Sequence, residues 1–328
     1  MAESEFNIIE HYFKRSRPQR DDVSLAIGDD AALLDVPHGK QLVVCVDTLV
    51  AGVHFPHDTP AHAIGYKAMA VNLSDIAAMG AEPAWATLAL TVPDSDAHWL
   101  ESFSNGLFEL AERYRVALVG GDTTRGPLTI TVQLHGLVEH GAALRRDGAQ
   151  PGDLIYVTGT LGDAGLALRL LLDSHLPANS SGDALLARLN YPTPRIAAGR
   201  ALSAVATAAI DISDGLVADL GHVLQASKVG ATLRVDQIPC SGAFVEIIGK
   251  KSDNSDVERY QLALTAGDDY ELCFTVPAAR QHLLPPLFAA LDCDCTLIGT
   301  IEARSGLRCV TADGAAVEIK QPGYNHFQ

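Results

Sequence analysis

Short aspartate-bearing segments recur along the chain: Ile27-Gly28-Asp29-Asp30, Val44-Cys45-Val46-Asp47-Thr48, Asn72-Leu73-Ser74-Asp75, Gly120-Gly121-Asp122-Thr123 and Asp211-Ile212-Ser213-Asp214-Gly215. Each is expected where a buried run ends. Carboxylates brought together without cations repel one another and rise in pKa, so a fold that gathers several of them implies bound hard metal ions. Magnesium carrying a polyphosphate is the natural occupant.

The elements that must position these groups can be read from periodicity. Residues 5–15 read as a short helix, and Gln41 to Asp47 as a near-continuous apolar run, a buried strand with Asp47 at its C-terminal end. His62 to Met79 has helical spacing, with Ile64, Ala68, Val71, Asp75 and Ala78 on one face and Gly80 as a cap. Asp75 interrupts that apolar stripe, which is costly unless the carboxylate is paired or holds a metal. Ala97 to Tyr114 is a second amphipathic helix whose aromatics belong to the core. Val116 to Val119 is a strand leading into Gly120-Gly121-Asp122, and Thr129 to Val138 alternates with one face packed. The turn-rich Gly148–Asp153 divides the chain into a domain of residues 1–148 and one of residues 149–328. In the second, Leu154 to Val157 is a strand, and Leu185–Ala206 and Leu216–Ala226 are helical. Strands and helices mix without strict alternation, so the expected class is α+β.

Other motifs are weaker. Gly159, Gly162 and Gly165 follow a strand and open a helix, but the spacing is not that of a dinucleotide fingerprint, and a close strand-to-helix turn is the preferred reading. Arg146, in Arg145-Arg146, is either a phosphate clamp or an exposed charge on a linker. His54 follows Asp47 closely, which gives it a claim to function that a lone histidine otherwise lacks. Cys293-Asp294-Cys295 has no second Cys or His pair to complete a zinc site.

Composition narrows the partners. With 328 residues, 48% hydrophobic and 20% charged, the chain can bury a large core. Forty acidic against 24 basic residues, a formal net charge of −16, disfavour nucleic acid and anionic membranes. Neither a signal peptide nor an apolar run of about 18 residues is present, and the six cysteines are scattered, so a soluble cytoplasmic protein is expected.

The ordered series of motifs resembles the thiamine-monophosphate kinases. These belong to the superfamily of aminoimidazole ribonucleotide synthetase, selenophosphate synthetase and a hydrogenase maturation factor. The matching segments are Ile27–Ala32, Asp47–Phe55, Ala70–Gly80, Gly120–Thr124, Pro151–Asp153 with Val157–Gly159, Asp211–Gly215 and Gly267–Leu272. The resemblance runs from Phe6 to Phe327. It implies the two-domain α+β fold of that superfamily, with N-terminal strands of two subunits sharing a barrel in a homodimer. It also implies that Asp30, Asp47, Asp75, Asp122, Asp211 and Asp214 bind several magnesium ions, with Cys45 and Val46 contributing through backbone carbonyls or water. Gly121, Asp122, Arg146 and Ser213 fall at ATP, and His54 and Asp268 at thiamine monophosphate. The family often has Glu at the position of Asp268 and a stacking aromatic near Gln321, for which Tyr324 is a substitute.

The implied reaction is phosphoryl transfer from ATP to thiamine monophosphate. A phosphate monoester is largely dianionic at neutral pH, so no strong general base is required. Two superfamily alternatives need a reactive cysteine, in an N-terminal loop or at the C-terminus, whereas the first here is Cys45 and the chain ends Asn325-His326-Phe327-Gln328. A non-catalytic metal- or nucleotide-binding protein is the other alternative. Acceptor-dependent ADP production separates it from the kinase.

Overall fold

The computed structural model describes residues 4–14, 20–249, 255–320 and 323–324. The chain divides into two compact units, one of Met1–Ile76 with Ala81–Ala143, the other of Ala77–Gly80 with Leu144–Gln328. Among the described residues no helix is long and apolar enough to cross a membrane.

The first unit opens with a helical turn, α1 (Glu5–Ile8), and a small hairpin of β1 (Val23–Leu25) and β2 (Leu33–Leu34). Its main sheet contains β3 (Lys40–Val50), β4 (Glu82–Val92), β5 (Ala117–Arg125) and β6 (Thr129–Glu139), in the order β3-β6-β4-β5. Helices α2 (Ala61–Ala78) and α3 (Ala97–Arg113) belong to the same half of the chain. Their backbones meet at glycines: a Cβ on Gly65 would stand 2.0 Å from the Phe103 carbonyl oxygen, and one on Gly106 1.9 Å from that of His62. No larger residue fits at either crossing point.

Three expectations about strands are corrected. Asp47 does not end its strand, because β3 pairs continuously with β6 from Lys40↔Glu139 to Val50↔Thr129. Nor is β3 buried on both sides: it is an edge strand, and Leu42, Val44 and Val46 are 45%, 50% and 59% exposed. Likewise Gly120-Gly121-Asp122 lies inside β5 rather than beyond it. A Cβ on Gly121 would come within 1.9 Å of the Leu88 oxygen, so the glycine lets β5 continue against β4.

The hairpin is bolted to this sheet. Val23, Ala32 and Leu34 pack on a cluster of Ala84, Trp85, Ala117, Val119 and Leu137. Arg20 donates two hydrogen bonds to the Asp22 carboxylate, at 2.8 and 2.7 Å, and a third to the Arg115 carbonyl at 3.1 Å. Trp85 Nε1 donates to Asp22 at 3.0 Å. The Gly28-Asp29-Asp30 turn therefore hangs from a fixed base.

The second unit is built on a six-stranded sheet in the order β12-β9-β11-β7-β10-β8. The strands are β7 (Asp153–Thr158), β8 (Ala208–Asp211), β9 (Gly230–Arg234), β10 (Leu272–Pro277), β11 (Cys295–Glu302) and β12 (Gly306–Val310). All pairings are antiparallel except that of β12 with β9. Its helices are α4 (Asp163–Leu172), α5 (Ser180–Asn190), α6 (Ile196–Leu202), α7 (Leu216–Ser227), α8 (Gly242–Gly249), α9 (Ser255–Thr265) and α10 (Leu284–Phe288). The single helix expected over Leu185–Ala206 is two, because Pro192 and Pro194 each lack an amide hydrogen and break the ladder. That break sets Arg195 at the start of α6.

Arg20 and Trp85 hold the Asp22 carboxyl below the usual carboxylate range, the Arg20 hydrogen bonds being the largest cause. Asp22→Asn should cost roughly 1 to 2 kcal/mol, since part of each charged hydrogen bond is screened by solvent. A depressed carboxyl pKa contributes stability above its unfolded value of about 3.9 and loses it as pH falls. Thermal melts of the wild type and the variant should thus differ at neutral pH and begin to converge only as pH falls below about 4.

Candidate functional site

In the first unit, Asp47, Asp75 and Cys45 converge. Cys45 and Asp47 share the face of β3 that meets α2, and the Cys45 thiol reaches the Asn72 carbonyl oxygen at 3.5 Å. Burial, and then the charges of Asp75 and Asp47, push the thiol's pKa up. That shift favours the neutral thiol over the thiolate at Cys45. Val46 points the other way and is exposed.

Register separates Asp122 from this pair. Asp47 lies opposite Val132, Val132 opposite Leu88, and Leu88 opposite Gly121, so Asp122 falls one residue beyond that row and on the other sheet face. Since β3 and β5 are opposite edges, three strand spacings separate Asp47 from Asp122, roughly 14 Å along the sheet. Asp30 is exposed at the hairpin turn, its amide donating to Asp29 Oδ1 at 2.8 Å. His54 closes the loop after β3 by accepting the Val50 amide on Nδ1 at 3.0 Å. This leaves the proton of the neutral ring on Nε2, a donor.

In the second unit, Asp211 ends β8, as expected of that segment, and is buried. The following turn is organised by Asp219, on the first turn of α7. Its Oδ2 accepts the amides of Ser213, Asp214 and Gly215, each at 3.1 Å. Burial, and then the charges of Asp211 and Asp214, raise the Asp219 carboxyl to about 8. The Asp211–Gly215 turn is also stitched to the Gly267–Tyr270 segment. The Ser213 carbonyl accepts the Asp268 amide at 2.9 Å, and the Ile212 carbonyl accepts that of Tyr270 at 2.8 Å. Tyr324 joins the same turn, its amide donating to the Asp214 carbonyl at 3.1 Å. Asp214, Ser213, Asp268 and Tyr324 are thus brought together, while Gln321 lies outside the described residues. Arg146 is exposed, and its carbonyl accepts the Ser227 hydroxyl at 2.8 Å.

The Gly159–Gly165 turn has a different occupant from phosphate. The Gly162 amide donates to both oxygens of buried Asp269, at 3.1 and 2.9 Å. Close turn geometry explains these glycines, as expected: Gly159 and Gly162 have φ of 56° and 91°.

Sequence reasoning missed Asp219, Glu271, Arg188 and Arg195. Asp219 resembles any acidic residue in a first helical turn, and only a fold shows three amides pointing at it. Among the described residues no group of three or more His, Cys, Asp or Glu could hold a metal ion by itself. Pairs of carboxylates are present instead. Magnesium is commonly held by one or two carboxylates with substrate phosphates completing the shell, so this donor set fits it.

Two family models cover most of the chain: the N-terminal domain of AIR synthase related proteins matches residues 28–138, and the C-terminal domain residues 150–311. A thiamine-monophosphate kinase of Salmonella typhimurium is 48% identical over 330 residues, covering 100% of this chain and 99% of that protein. The chain belongs to the thiamine-monophosphate kinase family. A solved kinase of that name from Stenotrophomonas maltophilia superimposes with a TM-score of 0.87 at 48% identity, covering 96% of this chain and 98% of the other. AaThiL complexed with AMPPCP and TMP gives a TM-score of 0.79 at 35% identity, with 92% of both chains covered. The two-domain α+β fold expected from the motifs is that of this family.

Asp219→Ala should leave three adjacent amides without their acceptor. Each unsatisfied buried group costs roughly 1 to 3 kcal/mol, so a clear fall in Tm is expected. Asp219→Asn keeps one oxygen acceptor and should fall less, which differential scanning fluorimetry can measure.

Proposed function

We propose that this chain transfers the γ-phosphoryl group of ATP to thiamine monophosphate, giving ADP and thiamine diphosphate. The observation that carries this reading is its full-length match to kinases of that name, one relative of which is complexed with AMPPCP and TMP. The residues support it. They supply scattered carboxylates, and the sites identified contain no placed nucleophile or strong base.

The acceptor brings its own nucleophile, a phosphate oxygen that is anionic at neutral pH. The protein's task is then to bring two anions into line and to keep their charge from separating them. Asp30, Asp47, Asp75, Asp122, Asp211 and Asp214 would hold magnesium, with Gly121, Arg146 and Ser213 at the nucleotide. Bound magnesium supplies charge neutralisation for the phosphates. The separation of Asp47 from Asp122 favours several ions along a polyphosphate over one. His54 would offer Nε2–H to the acceptor's phosphate, and in the second unit Asp268 and Tyr324 are the candidates to meet the acceptor. ATP as co-substrate favours the cytoplasm.

This reading includes a homodimer. Edge strand β3 spans Lys40–Val50 and presents Leu42, Val44 and Val46 to solvent, a long apolar edge of the kind proteins cover. A second β3 is a self-complementary cover for it. Val44→Lys should shift the protein toward monomer in size-exclusion chromatography with light scattering, and an unchanged mass would rule out this edge.

ADP release should depend on thiamine monophosphate, and free thiamine should not replace it, because its neutral hydroxyl needs a base. Asp47→Asn, Asp75→Asn and Asp122→Asn should each lower kcat by at least about a hundredfold while Tm without magnesium holds or rises. Equal use of free thiamine, or near-normal turnover by these variants, would overturn the assignment.

A further inference from the structure

Four consecutive residues after Gly267 are all held by their side chains or by unusual backbone. Asp268 and Tyr270 have φ of 68° and 50°, left-handed values that a tyrosine seldom adopts. Such conformations persist only where the surroundings over-determine them, and they concentrate at working sites. Here the surroundings are explicit. Asp269 is fixed on the Gly162 amide, and the Tyr270 hydroxyl donates to Asp268 Oδ1 at 2.9 Å. Glu271, wholly buried, accepts Arg195 Nε and Nη2, both at 2.6 Å, Arg188 Nη2 at 2.8 Å and the Thr158 hydroxyl at 2.6 Å. Gly159 is required for this, since a Cβ there would lie 2.2 Å from Glu271 Oε1.

A buried ion pair contributes little net stability, because the desolvation of both partners offsets their attraction. What two guanidiniums on one carboxylate do confer is a fixed position. Glu271 begins where the left-handed segment ends, and Leu272 opens β10, so clamping Glu271 fixes the exit of the segment while the bonds to Ile212 and Ser213 fix its entry.

We infer that Tyr270 and Glu271 are positioning residues for the phosphoryl acceptor: Glu271 holds the segment in its left-handed path, and Tyr270 sets the rotation of the Asp268 carboxylate. The inference rests on the reading that Asp268 meets the acceptor.

The test uses the full-length enzyme. KM for thiamine monophosphate and for ATP are measured separately, with calorimetric binding of thiamine monophosphate and Tm, for Tyr270→Phe, Glu271→Gln and Arg195→Lys. Tyr270→Phe deletes one hydroxyl and should fold normally even if Glu271→Gln does not. Loss of a supporting contact of this kind typically weakens a site about tenfold or more. The acceptor's KM and Kd should therefore rise about tenfold in Tyr270→Phe, with the KM for ATP within about twofold of wild type. A lower Tm with an unchanged ratio of the two KM values would overturn the inference and leave Tyr270 and Glu271 as scaffold. If the wild type itself turns over ATP without using thiamine monophosphate, the acceptor reading fails and takes the inference with it. A wild type that does use it, paired with an unmoved KM ratio, sinks the inference alone.

Discussion

A single carboxylate oxygen, Asp219 Oδ2, receives three consecutive amides, and the order of the turn that follows β8 depends on that convergence. The amides fix the turn from Asp211 to Gly215. That turn in turn fixes Asp268 and Tyr324 through its carbonyls. The cost is electrostatic, since Asp219 sits beside Asp211 and Asp214 and its carboxyl rises in pKa. Charge crowding of this kind suits a site that meets cations during its work and is poorly suited to one that never does.

The N-terminal unit solves a different problem. Its carboxylates are spread over strands, a helix and a turn, and pairing register sets the separation of the two that lie on strands. Asp47 and Asp75 share Cys45 as a neighbour, whereas Asp122 stands on the far strand and the other face. A protein that had to seize one ion tightly would concentrate these groups. One that handles an extended, multiply charged ligand benefits from spacing them.

Much of this was legible in the residues. Helices α2 and α3 follow from 3.6-residue spacing and from Gly80 as a stop, and the β8 turn from Asp211-Ile212-Ser213-Asp214-Gly215. The limits of β3 and β5 were not legible, because an aspartate after an apolar run looks the same whether the ladder continues or stops. Pairing with β6 and β4 decides that, and those partners lie far along the chain. The split of α5 from α6 was within reach, given Pro192 and Pro194. Glu271 was not: its partners, at positions 158, 188 and 195, are brought to it only by the fold.

The pairing of β3 with β6 also bears on how the chain comes off the ribosome. Val50 meets Thr129 and Lys40 meets Glu139, so β3 must wait for 79 to 99 further residues (129 − 50 and 139 − 40) before its partner exists. At common synthesis rates that delay is on the order of 5 to 20 seconds, long compared with the microseconds in which a local hairpin closes. Throughout it the Leu42, Val44 and Val46 stripe stands on a nascent chain with neither edge paired. The same strand that a second subunit would later cover is thus, during synthesis, an apolar segment that must wait for its partner.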